Sequence, residues 1–280
     1  GAEFGRNVNA ATGVEQTTYM LNNIPVVREG IVDTCLLIMH DYSHYVTCDP
    51  VEIDAERGVI LEEKRTRSTA DWRLLEKSLP YYYGDTKYAT CTLIGSEENL
   101  KTFKPESLLN FYHTWYRPDL QAVIVVGDID VDQVEAKIKD LFSDIPAKEN
   151  PQPKAVIEIP GNTEPVVGVI TDPEATNTSI EVLWKSKTLP EELNSTDLGF
   201  TIDFINNVIY QVMSERFNDI TSKPDAPYLG ASFGVGGLCE TCQAAMGNIS
   251  CRNGEGISSF KAFMTEIEKM KRYGFTDDEV

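Results

Sequence analysis

The sequence predicts an α+β protein built as two tandem units. Three observations lead there. The 280 residues are enough for one large or two ordinary domains, and 41% hydrophobic with 25% charged residues is a globular composition. The stretch "SDIPAKENPQPKAVIEIPGNTEP" is rich in Pro, Asn and charge, with little periodicity outside "AVIEI", and is the best boundary in the chain. Beyond it the succession of strand and helix patterns starts again, so the units are placed at 1–150 and 151–280.

The elements follow in order. "NAATGVEQTTYMLNNIP" is polar and β-branched, bounded by Pro25, and reads as one strand. A helix is expected from about Val27 to Tyr45, with Ile31, Cys35, Ile38, Tyr42 and Tyr45 as its apolar stripe. "DPVEIDAERGVILEEKRTR" is a second helix, with Asp49 as N-cap and Pro50 at its first position. "DWRLLEKSLPYYYG" is helical and interrupted at Pro80, and "KPESLLNFYHTWY" is a further helix. "QAVIVVGDI" reads as a buried strand, and "DVDQVEAKIKDLF" as an amphipathic helix with Val131, Val134, Ile138 and Phe142 on one side. In the second unit "VVGVITD" and "TSIEVLWKS" are strands, and Leu193 to about Ile220 is a long helix. "YLGASFGVGG" and "CQAAMGNISC" are strands, Gly256 to Tyr273 is the closing helix, and "GFTDDEV" reads as the start of another.

A formal net charge of -19 argues against nucleic acid, because phosphate binding needs clustered Lys and Arg. No apolar run approaches the ~18 residues of a membrane span. "GVGG" follows a strand but does not open into a helix, so it is no phosphate loop. "CETC", Cys239 to Cys242, with Cys251 beyond, invites a zinc or redox reading. Positions i and i+3 of one strand face opposite sides, so buried free thiols are expected instead. A metal-storage or redox module built on these cysteines would require chelator-sensitive folding.

Two clusters could carry chemistry. "HDYSH" places His40 and His44 four residues apart, one substitution from the H-E-x-x-H zinc motif, and about 40° apart around a helix axis. It is either a metal site or a pair of ordinary helix histidines. Glu56 and Glu63 are seven residues apart, hence on one helix face about 10 Å apart along the axis, with Val59 and Ile60 between them. Arg57 and Lys64 fall on a flank. Carboxylates flanking an apolar patch are expected to point inward, where a cation would compensate their charge. Gly58, costing ~1 kcal/mol in a helix interior, suggests close packing at that turn. The plainer reading is an acidic helix with a salt-bridged flank.

"FGRNVNAATGVEQTTYMLNNIP", "EIDAERGVILEEKRTR" and "WYRPDLQAVIVVGDID", in that order and with that spacing to the second unit, resemble the pitrilysin/insulinase family of zinc metallopeptidases. "RFNDITSKPDAPYLGASFG" and "KRYGFTDDEV" are most similar to the large bacterial members. The resemblance implies tandem α/β-sandwich domains of the mitochondrial-processing-peptidase type, each an antiparallel sheet with helices packed on it. It implies zinc held by two histidines of an H-x-x-E-H motif and by a downstream glutamate. Glu63 matches that glutamate, and Glu56 matches the acidic residue that supports the site from behind the ligands. Asn9, Ala10, Ala11 and Thr12 match the edge strand to which peptide substrates add. Tyr19, further along, matches no role and reads as a packing residue. Peptide or unfolded-protein substrates would lie in a chamber closed by a second half of the polypeptide or a partner subunit, and family habit points to the periplasm.

The sequence departs from the family at one point. It holds three histidines, His40, His44 and His113, and no H-x-x-E-H. The resemblance therefore implies an internal fragment, opening in the loop "GAEFGRN", that is inactive alone, with its edge near Asn9 to Thr12 frayed or paired with another copy. The alternative is a noncatalytic peptide-binding or scaffold member. No family ligand maps onto "HDYSH", leaving two partly exposed helix histidines. Arg216 and Tyr228 invite comparison with the family's substrate-facing arginine and tyrosine. Those come from the other half of the molecule, so Arg216 reads as structural.

Overall fold

The computed structural model describes residues 6–279; most of the opening loop "GAEFGRN" lies outside them. The chain forms two compact units, Gly1–Ser68 with Cys91–Ala155, and Thr69–Thr90 with Val156–Val280. These units differ from linear halves divided at 150, because the segment Thr69–Thr90 packs with the C-terminal residues.

In the first unit, the segment read as one strand is a hairpin. β1 (Val8–Thr12) pairs antiparallel with β2 (Thr17–Leu21), from Val8 opposite Leu21 to Thr12 opposite Thr17. The chain reverses where the Gly13 amide donates to the Gln16 carbonyl at 2.8 Å, a turn that the continuous polar, β-branched pattern concealed. α1 (Ile31–His44) starts after Gly30, whose φ of 75° is a left-handed conformation that glycine adopts without strain. It buries Ile31, Leu36 and His40, whereas Tyr45, assigned to its apolar stripe, is exposed.

α2 (Pro50–Arg67) is capped by Asp49, which accepts from the Val51 amide at 2.8 Å. α5 (Glu97–Thr102), α6 (Pro105–Trp115) and α7 (Val131–Phe142) complete the unit. Tyr112 of α6 is buried and donates to the Tyr42 carbonyl of α1 at 2.9 Å. The Tyr19 hydroxyl meets the Tyr116 hydroxyl at 2.7 Å, and the Tyr19 ring lies 5.1 Å from Tyr42. Burial, then that hydrogen bond, raises the Tyr19 pKa, so it serves here as a neutral packing residue. Arg117, 4% exposed, donates to Asp119 at 2.9 Å and to the Gln152 carbonyl at 2.8 Å, tying down the end of the unit.

The "QAVIVVGDI" expectation is corrected. Residues 121–126 join no ladder, and Ile124 and Val126 are 83% and 91% exposed. The same holds for "VVGVITD", where Val166, Val167 and Val169 are exposed. β-Branched composition shows what suits a sheet; a ladder also needs a neighbouring strand to pair with. Val131 is likewise exposed, and Val134 is the stripe residue that α7 buries.

The second unit is a three-stranded antiparallel sheet in the order β3 (Thr178–Lys187), β5 (Cys242–Cys251), β4 (Gly230–Cys239). The long helix expected from Leu193 is divided into a short α8 (Glu191–Asn194) and α9 (Asp197–Thr221), with Thr196 capping the latter through the Gly199 amide. α10 (Gly256–Tyr273) closes the unit. The residues 276–279 beyond it form a turn, in which Glu279 accepts from the Thr276 amide and from Arg216. Met213 and Phe217 of α9, Phe263 and Ile267 of α10, Phe233 and Ile249 of the sheet, and Tyr228 make the core. Phe217 and Phe263 stack at 5.2 Å. A Cβ on Gly247 would lie 2.3 Å from the Phe263 ring, so this glycine lets α10 approach the sheet.

α3 (Ala70–Tyr83) and the short α4 (Lys87–Thr90) belong to this unit. α3 runs through Pro80 without interruption. It meets the sheet through Tyr82 on Glu181 and Tyr83 on the Leu238 carbonyl at 3.0 Å. Arg73 donates to both oxygens of Asp172, at 2.8 and 2.7 Å, and this hydrogen bonding holds the Asp172 carboxyl far below the usual carboxylate range.

Cys239 and Cys242 are also corrected. They do not lie on one continuous strand but flank the two-residue turn of the β4–β5 hairpin, directly opposite each other. Opposed residues share a face of the sheet. Cys239, Cys242 and Cys251 are buried free thiols.

Candidate functional site

α2 presents two contrasting faces. Arg57 and Lys64, seven residues apart, turn toward the body of the unit. The Arg57 guanidinium donates to the carbonyls of Leu100 at 2.7 Å and Phe103 at 2.6 Å, and lies 3.9 Å over the Phe103 ring. Lys64 donates to the Gly95 carbonyl at 2.9 Å. The adjoining face carries Glu56, Val59 and the half-buried Glu63. Glu56 is exposed, Val59 is 56% exposed, and no residue of α2 is buried.

The cations hold the helix down; Glu56 is exposed instead of pointing inward, and Glu63 is half-buried. Long basic side chains reach backbone carbonyls while covering apolar surface with their stems, which carboxylates cannot do. Glu63 takes a 2.7 Å ion pair from Arg67, one turn on. An added Cβ on Gly58 would meet nothing within 4 Å, so close packing does not explain this glycine either.

β1 offers the second feature. Asn9, Ala10, Ala11 and Thr12 are all exposed, and among the described residues β1 pairs only with β2, leaving its other edge without a ladder. The Ala10 amide is taken up by the Asn9 side chain at 2.8 Å, a local bond that an added strand would have to replace. Such an edge can accept an extended peptide through main-chain hydrogen bonds.

The "HDYSH" pair is placed elsewhere. His40 is 6% exposed, so it is not partly exposed as its sequence position suggested. Its Nε2 lies 2.9 Å from Asp144 and its Nδ1 3.2 Å from Asp41, which ties α1 to the end of α7. Hydrogen bonding from His40 lowers the Asp144 pKa. The His44 ring lies 6.4 Å from that of His113. Sequence reasoning missed Arg57, Lys64 and the His40–Asp144 pair. The seven-residue Arg57–Lys64 spacing was a visible signal, whereas the 104-residue separation of His40 and Asp144 left none.

Catalytic zinc sites usually take three protein ligands. Among the described residues no three His, Cys, Asp or Glu side chains gather in a way that could hold a metal ion. The described residues do not by themselves fit zinc. What α2 offers is the exposed Glu56 and, two turns on, Glu63 paired with Arg67.

A family model described as "Peptidase M16 inactive domain" matches residues 102–280. The "Probable zinc protease PqqL" of Escherichia coli is 27% identical over 281 residues, covering 100% of this chain and 30% of the relative. The protein of the same description from Haemophilus influenzae is 27% identical over 288 residues, again with 100% and 30% covered. The chain thus spans about a third of the length of these relatives. Among solved structures, the first half of the periplasmic protease PqqL from Escherichia coli matches with a TM-score of 0.84 and 26% identity, over 99% of this chain and 58% of that one. Pitrilysin shares the fold, with a TM-score of 0.69 at 15% identity over 97% of this chain and 29% of that one. On the family match and the shared α+β architecture, the chain belongs to the M16 peptidase family.

Proposed function

We propose that these residues are a portion of a zinc-dependent metalloendopeptidase, which hydrolyses peptide bonds with a zinc-activated water. The observation that carries this reading is the acidic face of α2, in a chain that aligns over its full length with proteins named as zinc proteases. In the longer protein Glu63 supplies one zinc ligand, the others coming from outside these residues. Glu56 holds the ligand set in place through hydrogen bonds. An extended peptide, or a segment of an unfolded protein, adds to β1 along Asn9, Ala10, Ala11 and Thr12. A second half of the polypeptide or a partner subunit closes the chamber. The protein works in the periplasm, the compartment of the similar Escherichia coli protease PqqL. The 280 residues alone are expected neither to retain zinc nor to cleave peptides.

One observation favours a second reading. Glu63 is already paired with Arg67 at 2.7 Å, an arrangement that a noncatalytic peptide-binding or scaffold role would leave undisturbed. A fluorogenic-peptide assay on the longer protein separates the two. Cleavage abolished by chelator and restored by zinc is expected. Peptide binding without cleavage, indifferent to chelator, would establish the noncatalytic reading instead.

A further inference from the structure

The tip of the β4–β5 hairpin places two cysteines directly opposite each other. Cys239 ends β4, Cys242 begins β5, and Glu240 and Thr241 make the turn between them. Directly opposed residues of an antiparallel pair have Cα atoms about 4.5–5.5 Å apart. That range lies inside the roughly 4.4–6.8 Å that a disulfide spans. Both residues are buried, at 8% and 4% exposure.

The turn is also held from outside the hairpin. The Thr188 hydroxyl donates to the Glu240 carbonyl at 2.7 Å, and the Thr241 hydroxyl donates to the Ile157 carbonyl at 2.7 Å. An irregularity in pairing between Gly237 and Cys239 adds local twist beside the pair. The third sheet cysteine, Cys251, closes the far end of β5, about 30 Å away at the rise of a strand, so the pair has no competitor within the sheet.

We propose that Cys239 and Cys242 are a redox dithiol that closes to a cross-strand disulfide by exchange with a small-molecule disulfide. One cysteine thiolate attacks a sulfur of the oxidant, forming a mixed disulfide and releasing one thiolate. The facing cysteine thiolate then attacks the protein sulfur of that bond and expels the second. Two protein thiols lose two electrons and two protons, and the oxidant leaves as two thiols.

Burial raises the Cys242 pKa, the neighbouring Cys239 adds to the rise, and Lys185 opposes it. The folded dithiol is therefore slow to react, and closure is fastest while the chain is folding, before the tip is covered.

The test uses the chain with Cys251→Ser, so that the tryptic peptide 217–252 keeps only the two cysteines in question. It is treated with glutathione disulfide both as folded protein and during refolding from the reduced, unfolded state, then alkylated and mapped by mass spectrometry. Circular dichroism and a thermal melt confirm that each sample is folded. The expected product is a peptide two hydrogens lighter, without alkyl or glutathione groups, formed faster in the refolding sample and reversed by dithiothreitol. With Cys239→Ser added, the bridge is absent. If in both treatments both cysteines remain open to alkylation, or carry glutathione without bridging, the proposal is wrong. In wild-type chain, a bridge from either cysteine to Cys251 would overturn it equally.

Discussion

Replacing Arg57 by alanine tests what holds α2 in place. The Arg57 side chain is 15% exposed and makes three contacts that alanine would lose, besides an exposed pair with Asp54. Its bonds to the Leu100 and Phe103 carbonyls are hydrogen bonds from a charged donor, at about 1.5 kcal/mol each at the low end. The stack on Phe103 adds ~0.5–1 kcal/mol, and the Asp54 pair, with Asp54 66% exposed, adds almost nothing. Because these terms are not strictly additive, Arg57→Ala is expected to destabilise the chain by about 2–4 kcal/mol. Arg57→Lys keeps the charge but neither the fork nor the planar stack, and should lose about half of that. Urea titration followed by circular dichroism, with the slope compared between variants, measures both effects. An Arg57→Ala chain within ~0.5 kcal/mol of wild type would show that α2 is held by something other than this anchor.

Three further outcomes follow from the same structure. Gly58→Ala adds a methyl group into open space within a helix and should raise stability by ~1 kcal/mol, so a lower urea midpoint would contradict the geometry. The folded Asp172 carboxyl titrates below its unfolded value of about 3.9, so its contribution is fully present above that pH and drains away as acid carries the solution down toward the folded value. The gap in melting temperature between wild type and Asp172→Asn should thus be widest at neutral pH and shrink between about pH 4 and pH 2; a constant gap would refute this. In the longer protein, His40→Ala with His44→Ala should leave zinc content unchanged while costing about 1–3 kcal/mol through the lost His40–Asp144 contact. Loss of zinc in that double variant would return "HDYSH" to the metal site.

The sequence was most informative where an element carries its own signals. Asp49 and Pro50 announce the start of α2, and the apolar periodicity of the closing helix gives α10 its full extent, Gly256–Tyr273. It failed where the outcome depends on a remote partner. Residues 121–126 read as a buried strand yet join no ladder, because composition does not show whether a neighbouring strand is present. The turn at Gly13–Gln16 was hidden inside a polar run, and the turn at Glu240–Thr241 inside a run of strand-like residues, so that one facing cysteine pair was read as two opposite faces. For α2, helical spacing identified which side chains share a face, but not which face the rest of the unit would cover. Arg57 and Lys64 decided that through carbonyls of a segment more than thirty residues on.

Whether Glu63 is a zinc ligand in the longer protein is tested most directly by zinc stoichiometry. The measurement is zinc per chain after exhaustive dialysis, for wild type, Glu56→Gln and Glu63→Gln, with circular dichroism to confirm folding. Wild type should retain one zinc. Glu56→Gln should keep the site with affinity weakened on the order of 10–100-fold, as for partners that orient ligands. Glu63→Gln, which leaves a neutral amide in place of the carboxylate, should lose the metal. A folded Glu63→Gln protein that retains zinc at the wild-type level would contradict the claim and leave Glu63 as the partner of Arg67 alone.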